Sequence, residues 1–147
     1  MYKIVIDTNV LLSALFSNRG GSFKLLELLA NKAENGCFYN VVSVPLVLEF
    51  EEVLLRSKNM EKYPHFSHED IKLIIADIVV ISHRTKLHFL WRPFLKDSFD
   101  DKVLETAVNG KADAIITFNT KDFDGVKKHF DIDIFTPSEL YEKGFLR

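Results

Sequence analysis

Residues Tyr2 to Ile6 form a short β-branched run without polar alternation, the pattern of a strand covered on both faces. The run ends on Asp7, Thr8 and Asn9, after which Val10-Leu11-Leu12-Ser13-Ala14-Leu15-Phe16 resumes at helical spacing. A strand with no solvated face needs helices on both sides of its sheet. In an open parallel sheet, functional groups sit just past the carboxyl ends of the central strands. Asp7 falls there if this strand is the first of such a sheet. The same residues equally read as a helix N-cap, which satisfies free N–H groups and needs no chemistry. The positions of the other carboxylates have to decide between the two.

At 147 residues the chain is expected to form one domain over residues 1–147, with a ring-rich core supplied by its thirteen Phe. No apolar run approaches the ~20 residues of a membrane helix. The N-terminus lacks the layout of a signal peptide. The single Cys, Cys37, forbids an internal disulfide and reads as a small buried hydrophobe. Together these point to the cytoplasm and away from any membrane partner. The net charge of −2 argues against a protein that wraps DNA in a basic field, yet leaves nucleic acid open as a substrate.

Along the chain, Asp7 to Phe16 reads as a helix stopped at Asn18-Arg19-Gly20-Gly21, and a second helix follows from Ser22. Cys37 to Val42 is a second buried strand, and Ser43 with Pro45 opens a third helix. At 100° per residue, Leu46, Val47, Phe50, Val53 and Leu54 share one apolar stripe of that helix. Glu49 and Glu51 border the stripe and are both in reach of a pocket, while Glu52 points away. Leu48 and Leu55 lie outside the stripe, an i, i+7 pair that suggests contact with another chain.

Ser67 with Asp70 forms a capping box for a fourth helix, and Val79 to Ile81 is expected as a short third strand. The stretch to Lys96 carries Arg84, Lys86 and Arg92 among Phe89, Trp91 and Phe94. It is either a nucleotide-stacking surface or a loop resting on the core by its rings. His83 and His88 read as surface residues rather than metal ligands. A helix over Lys102 to Asn109 follows, with Ser98 and Asp101 as a capping pair. Asp100 falls on the side of Val103, Leu104 and Ala107, where an unpaired carboxylate would cost several kcal/mol. Ala112 to Thr117 is a further strand ending, like the first, in hydroxyl, amide and acid groups: Thr117, Asn119 and Asp122. A strand near Ile132 to Phe135 and a helix from Pro137 complete five βα-type units. The expected architecture is a three-layer α/β/α sandwich with a mostly parallel central sheet.

Asp7, Glu49, Asp100 and Asp122 thus all follow or precede strand ends. If those ends converge, each carboxylate pair ~5 Å apart repels by roughly 3 kcal/mol at an effective dielectric of ~20. Such a cluster persists only with compensating cations or protons. Oxygen ligands without His or Cys indicate Mg²⁺ or Mn²⁺ rather than zinc.

The segments Ile6-Asp7-Thr8-Asn9-Val10, Leu48-Glu49-Phe50-Glu51-Glu52-Val53-Leu54, Asp97 to Ala107 and Thr117 to Phe123, closed by Thr136-Pro137-Ser138-Glu139, resemble the PIN-domain family in order and spacing. The resemblance is to the prokaryotic branch of toxins from toxin–antitoxin systems. It implies a metal-dependent ribonuclease with single-stranded RNA as substrate, an antitoxin partner and a possible homodimer. It maps the first three acids onto Asp7, Glu49 and Asp100, as metal ligands. The fourth position, often Asp, is Asn119 here, so Asp122 would have to serve a second ion. Asn9 and Thr117 would hold the carboxylates, and Arg84, Lys86, Arg92 and Lys121 are candidates for contact with the nucleic acid.

Two rivals stand beside this reading. An aspartyl-phosphate phosphotransferase also starts with a strand ending in Asp, but pairs it with a second Asp two residues on, where this chain has Asn9. A PIN-like module that binds without turnover is motivated by Asn119 and by the misplaced Leu48 and Leu55.

Overall fold

The computed structural model describes residues 2–17, 21–31, 38–88 and 101–143. Five strands, β1 (Tyr2–Ile6), β2 (Phe38–Val42), β3 (His83–Arg84), β4 (Ala114–Ile116) and β5 (Asp133–Phe135), form one sheet in the order β3-β2-β1-β4-β5. Every pairing is parallel, with Ile4 beside Asn40 on one side and Ala114 on the other. Strands progress outward from β1 to β3, then jump back across β1 to β4. The ends of β1 and β4 therefore flank the point where the strand order reverses, the usual place for a ligand crevice.

The central strands are sequestered as their composition predicts: Ile4, Val5, Ile6, Ala114, Ile115 and Ile116 are all buried. The helices are α1 (Thr8–Phe16), α2 (Gly21–Ala30), α3 (Val44–Leu54), α4 (Ser57–Met60), α5 (His68–Ile81), α6 (Asp101–Asn109), α7 (Val126–Phe130) and α8 (Pro137–Glu142). Helix α6 packs on β1, β2 and β4, whereas α1, α2, α3 and α5 pack against one another. Helices thus cover the parallel sheet in a three-layer α/β/α arrangement.

Local signals explain most boundaries. Ser43 accepts the Leu46 N–H and Pro45 sits in the first turn of α3. Ser67 and Asp70 make the expected capping box, and Thr136 with Glu139 makes a second one at α8. The polar connection after α3 is held by Tyr63, buried, whose hydroxyl donates to the Leu54 carbonyl at 2.6 Å.

One element differs from expectation. Val79 to Ile81 is not a strand; it is the last turn of α5, and the strand is the shorter His83–Arg84 pair. The β-branched run satisfies strand propensity, but Ile71, Ile75 and Ile78 continue a helical stripe into the core, and tertiary packing overrides the local preference.

Candidate functional site

Asp7 is the residue between β1 and α1. Its backbone N–H extends the sheet by donating to the Ile116 carbonyl at 2.9 Å. Asp7 is the N-cap residue of α1, yet its carboxylate makes no side-chain capping hydrogen bond and is free to serve elsewhere in the fold. The Thr117 hydroxyl, just past β4, donates to Asp7 Oδ2 at 2.8 Å in a buried contact. The two strand ends that flank the reversal point are therefore joined by a side-chain bond as well as by the sheet.

Glu49 reaches the same region from α3. The Thr8 hydroxyl donates to Glu49 Oε2 at 2.6 Å, and both residues are buried. A charge-assisted bond of this length is among the stronger neutral-donor contacts a carboxylate can make. Glu51, the other border residue of the stripe, is exposed and faces away. The helical wheel alone left the two equivalent; the buried hydroxyl of Thr8 separates them.

Burial is the main reason the Asp7 carboxyl is pushed up from 3.8 to about 6. The Thr117 hydroxyl and the adjacent Thr8 N–H work against this rise, while the charges of Glu49 and Asp122 add to it. Asp122 itself is exposed, on the 3₁₀ turn Thr120–Phe123 that follows β4. Among the described residues, neither Asp7 nor Glu49 is paired with a Lys or Arg.

Among the described residues, Asn9 holds no carboxylate. Its amide donates to the Thr117 hydroxyl at 3.4 Å and accepts from the Phe118 N–H at 3.4 Å, so it braces the loop that positions Thr117. Asn119 likewise contributes its backbone N–H to the Thr117 hydroxyl at 3.1 Å, with its side chain exposed. Lys121 is exposed on the same turn. Arg84 and Lys86 stand elsewhere, beyond β2, on the rim of an apolar hollow shared with Val44 and Leu48. His83 is half-buried, its ring 4.5 Å from that of Tyr39.

Asp100 and Arg92 lie outside the described residues, as do Asp97, Ser98 and Cys37. The neighbouring Asp101 is wholly buried together with Glu105 one turn later, so the first turn of α6 does face inward with a carboxylate. Near it, the hydroxyls of Ser43 and Thr106 meet at 2.7 Å and join α3 to α6.

Among the described residues, no three His, Cys, Asp or Glu side chains gather into a group able to hold an ion. The donors that do converge are carboxylates, hydroxyls and amides. That chemistry suits a hard divalent cation, which would offset both the burial of the Asp7 carboxylate and the lesser repulsion from Glu49 and Asp122.

Comparison with known proteins decides the family. The family model described as PIN domain matches residues 3–121. The chain belongs to the PIN-domain family. Its members are in general nucleases, and all of the site described above except Asp122 lies within the matched residues. No curated protein sequence is significantly similar to this PIN domain. Among solved structures, it is similar to a chain of VapBC2 from Rickettsia felis bound to a DNA fragment from their promoter. The TM-score is 0.58 at 14% identity, covering 90% of this chain and 96% of that one, a likeness of fold. The match agrees with the parallel sheet and helix layers described above. No helix among the described residues is long and apolar enough to cross a membrane.

Proposed function

We propose that this PIN domain is a Mg²⁺- or Mn²⁺-dependent ribonuclease that hydrolyses phosphodiester bonds of single-stranded RNA, acting in the cytoplasm as the toxin of a toxin–antitoxin pair. The observation that carries the reading is Asp7: a buried carboxylate at the sheet's reversal point, whose pKa is raised by burial and by Glu49 and Asp122. A carboxylate kept in that setting without a cationic side chain is costly for folding, which argues that a ligand compensates it.

Asp7, Glu49 and Asp100 are the proposed metal ligands, with Asp122 as a further acid at the rim. A divalent cation held there would supply Lewis acidity and lower the pKa of a water molecule beside the carboxylates. Thr117 orients Asp7 and Thr8 orients Glu49, so that both carboxylates are held ready rather than reorganised during reaction. Asn9 and the Asn119 N–H keep the Thr117 loop in place. Lys121, exposed beside Asp122, is suited to contact the phosphate backbone of the incoming strand. The toxin role and an antitoxin partner rest on the likeness to a VapBC2 chain and on the family resemblance.

The test is calorimetric titration with Mn²⁺ combined with cleavage of a fluorescent single-stranded RNA, for the wild type and Asp7→Asn. Binding and cleavage that both vanish in the variant support the proposal. Unchanged metal-dependent cleavage by Asp7→Asn removes it. A wild type that binds RNA but neither Mn²⁺ nor turns over favours the second reading, a binding module, for which Asn119 at a position often acidic is the motivating observation.

A further inference from the structure

Among the described residues, the Phe and Tyr rings left exposed are those of Phe16, Phe118 and Tyr141. Two of them have company. The Phe16 ring lies 5.7 Å from that of Tyr63 and 5.3 Å from Lys62 Nζ, and Lys24 Nζ stands 5.1 Å from the Tyr141 ring. Phe118 is the most exposed of the three, at 46%, and its ring meets no other ring and no cation among the described residues. An isolated apolar side chain at a surface needs no explanation in general. What sets Phe118 apart is where it stands and how firmly its backbone is held.

The Thr117 N–H still donates into the sheet, to the Phe135 carbonyl at 2.9 Å, while the Thr117 hydroxyl holds Asp7. Phe118 is the next residue, the first to leave the sheet, at the edge where β1 and β4 end. Its loop is braced on both sides. Asn9 Oδ1 accepts the Phe118 N–H at 3.4 Å, and the Asn119 N–H donates to the Thr117 hydroxyl at 3.1 Å. The Asp122 N–H closes the following turn on the Asn119 carbonyl at 3.0 Å, and Phe123, buried, pins its far end. A ring carried on a loop fixed in this way loses little freedom on binding, which is how a preorganised side chain contributes affinity.

We infer that Phe118 is a stacking platform for one base of the single-stranded substrate, that of a nucleotide flanking the phosphate held at Asp7. The inference rests on the nuclease reading above and deepens it. A phosphodiester that reaches Asp7 carries a base on each side, and the residue beyond Thr117 is within reach of one of them. Bases in a duplex are already stacked and have no face to offer, so the ring gives the preference for single strands a physical cause. Every base has a π-face, so selection among bases is shallow, with purines ahead of pyrimidines through their larger rings.

Phe118→Ala, Phe118→Leu and Phe118→Trp separate the ring from its bulk, because the brace from Asn9 uses only the backbone N–H of residue 118. Binding is read by anisotropy of a fluorescein-labelled single-stranded RNA in chelator, and cleavage of the same strand in Mn²⁺. Phe118→Trp is expected to match the wild type. Phe118→Ala and Phe118→Leu are expected to bind roughly tenfold or more weakly and to raise KM by a similar factor, with kcat little changed. An abasic nucleotide at the stacked position should cost the wild type as much as Phe118→Ala does, with no further loss when the two are combined. Thermal unfolding checks each variant; should Phe118→Ala misfold, Phe118→Leu and the abasic strand carry the test. Cleavage whose KM is the same in Phe118→Ala, or in Phe118→Leu, as in the wild type overturns the inference and leaves the nuclease reading standing. A wild type that neither takes up Mn²⁺ nor cuts removes the nuclease reading, and the binding arm then decides alone. Affinity that falls both in Phe118→Ala and with the abasic strand upholds the platform; affinity indifferent to either, or absent, overturns it.

Discussion

The Thr8 hydroxyl donates to Glu49 Oε2 at 2.6 Å, joining the first turn of α1 to the middle of α3 inside the protein. This bond marks off Glu49, which is buried, from Glu51 and Glu52 on the same helix, which are exposed. Thr8→Val keeps the shape and removes the donor, leaving a buried carboxylate short of a partner. A loss of about 1–3 kcal/mol in urea unfolding is expected. Glu49→Gln keeps an acceptor for Thr8 and should cost less than Thr8→Val. Equal losses in the two variants would show that the bond does not stabilise the fold.

Asp7 makes stability depend on pH in a direction opposite to that of most carboxylates. Its pKa in the folded protein is about 6 against 3.8 for the free side chain, so the folded state binds the extra proton between these values. The contribution from Asp7 is present below about pH 4, is lost as pH rises to about 6, and is flat beyond, amounting to about 2–3 kcal/mol. Asp7→Asn should therefore be more stable than the wild type at pH 8 by about that amount, with the gap closing by pH 4. Paired urea melts across the range measure it; a gap that does not change with pH contradicts the raised pKa.

Thr117→Val removes the hydroxyl that partly offsets the burial of Asp7. The Asp7 carboxyl should then titrate above its wild-type value, followed by its ¹³C carboxyl shift. Stability should fall by about 1–3 kcal/mol because the Asn9 amide and the Asn119 N–H lose the same partner. A titration that stays in place would mean the bond to Asp7 is not formed in solution.

Gly110 closes α6 where the chain passes close to β2. A Cβ there would sit 2.6 Å from Val41 Cγ1 and 2.9 Å from the Thr106 carbonyl oxygen. Backbone on one side and a stiff β-branched side chain on the other leave little room to yield, so Gly110→Ala should cost about 1–3 kcal/mol. Thermal unfolding of the variant is the measurement, and an unchanged midpoint would show that the helix end can shift.

Much of this was legible in the chain itself. The apolar runs of β1 and β4 gave a sheet buried on both faces, and Asp7 and Thr117 followed from where those runs stop. Ser43 with Pro45, Ser67 with Asp70, and Pro137 marked helix starts because these signals lie within a first turn. What escaped was whatever depends on a distant neighbour. Periodicity left Glu49 and Glu51 equivalent and only the family resemblance singled out Glu49; the contact that accounts for it comes from Thr8, 41 residues earlier. The helical continuation through Val79 to Ile81 needed the packing of α5 on α3, which outweighs β-branched propensity. Asn9 was given to a carboxylate because its amide is the right chemistry, and among the described residues its contacts are with the Thr117 loop, 108 positions away.

The bond between Asp7 and Thr117 spans 110 positions of sequence, and β1 is completed only when β4 arrives to pair with it. A nascent chain emerging from the ribosome thus displays its first acid long before the strand that fixes it exists. If Asp7 belongs to a nuclease centre, that centre stays unassembled until β4 has been made, so the order of the strands sets when activity can begin.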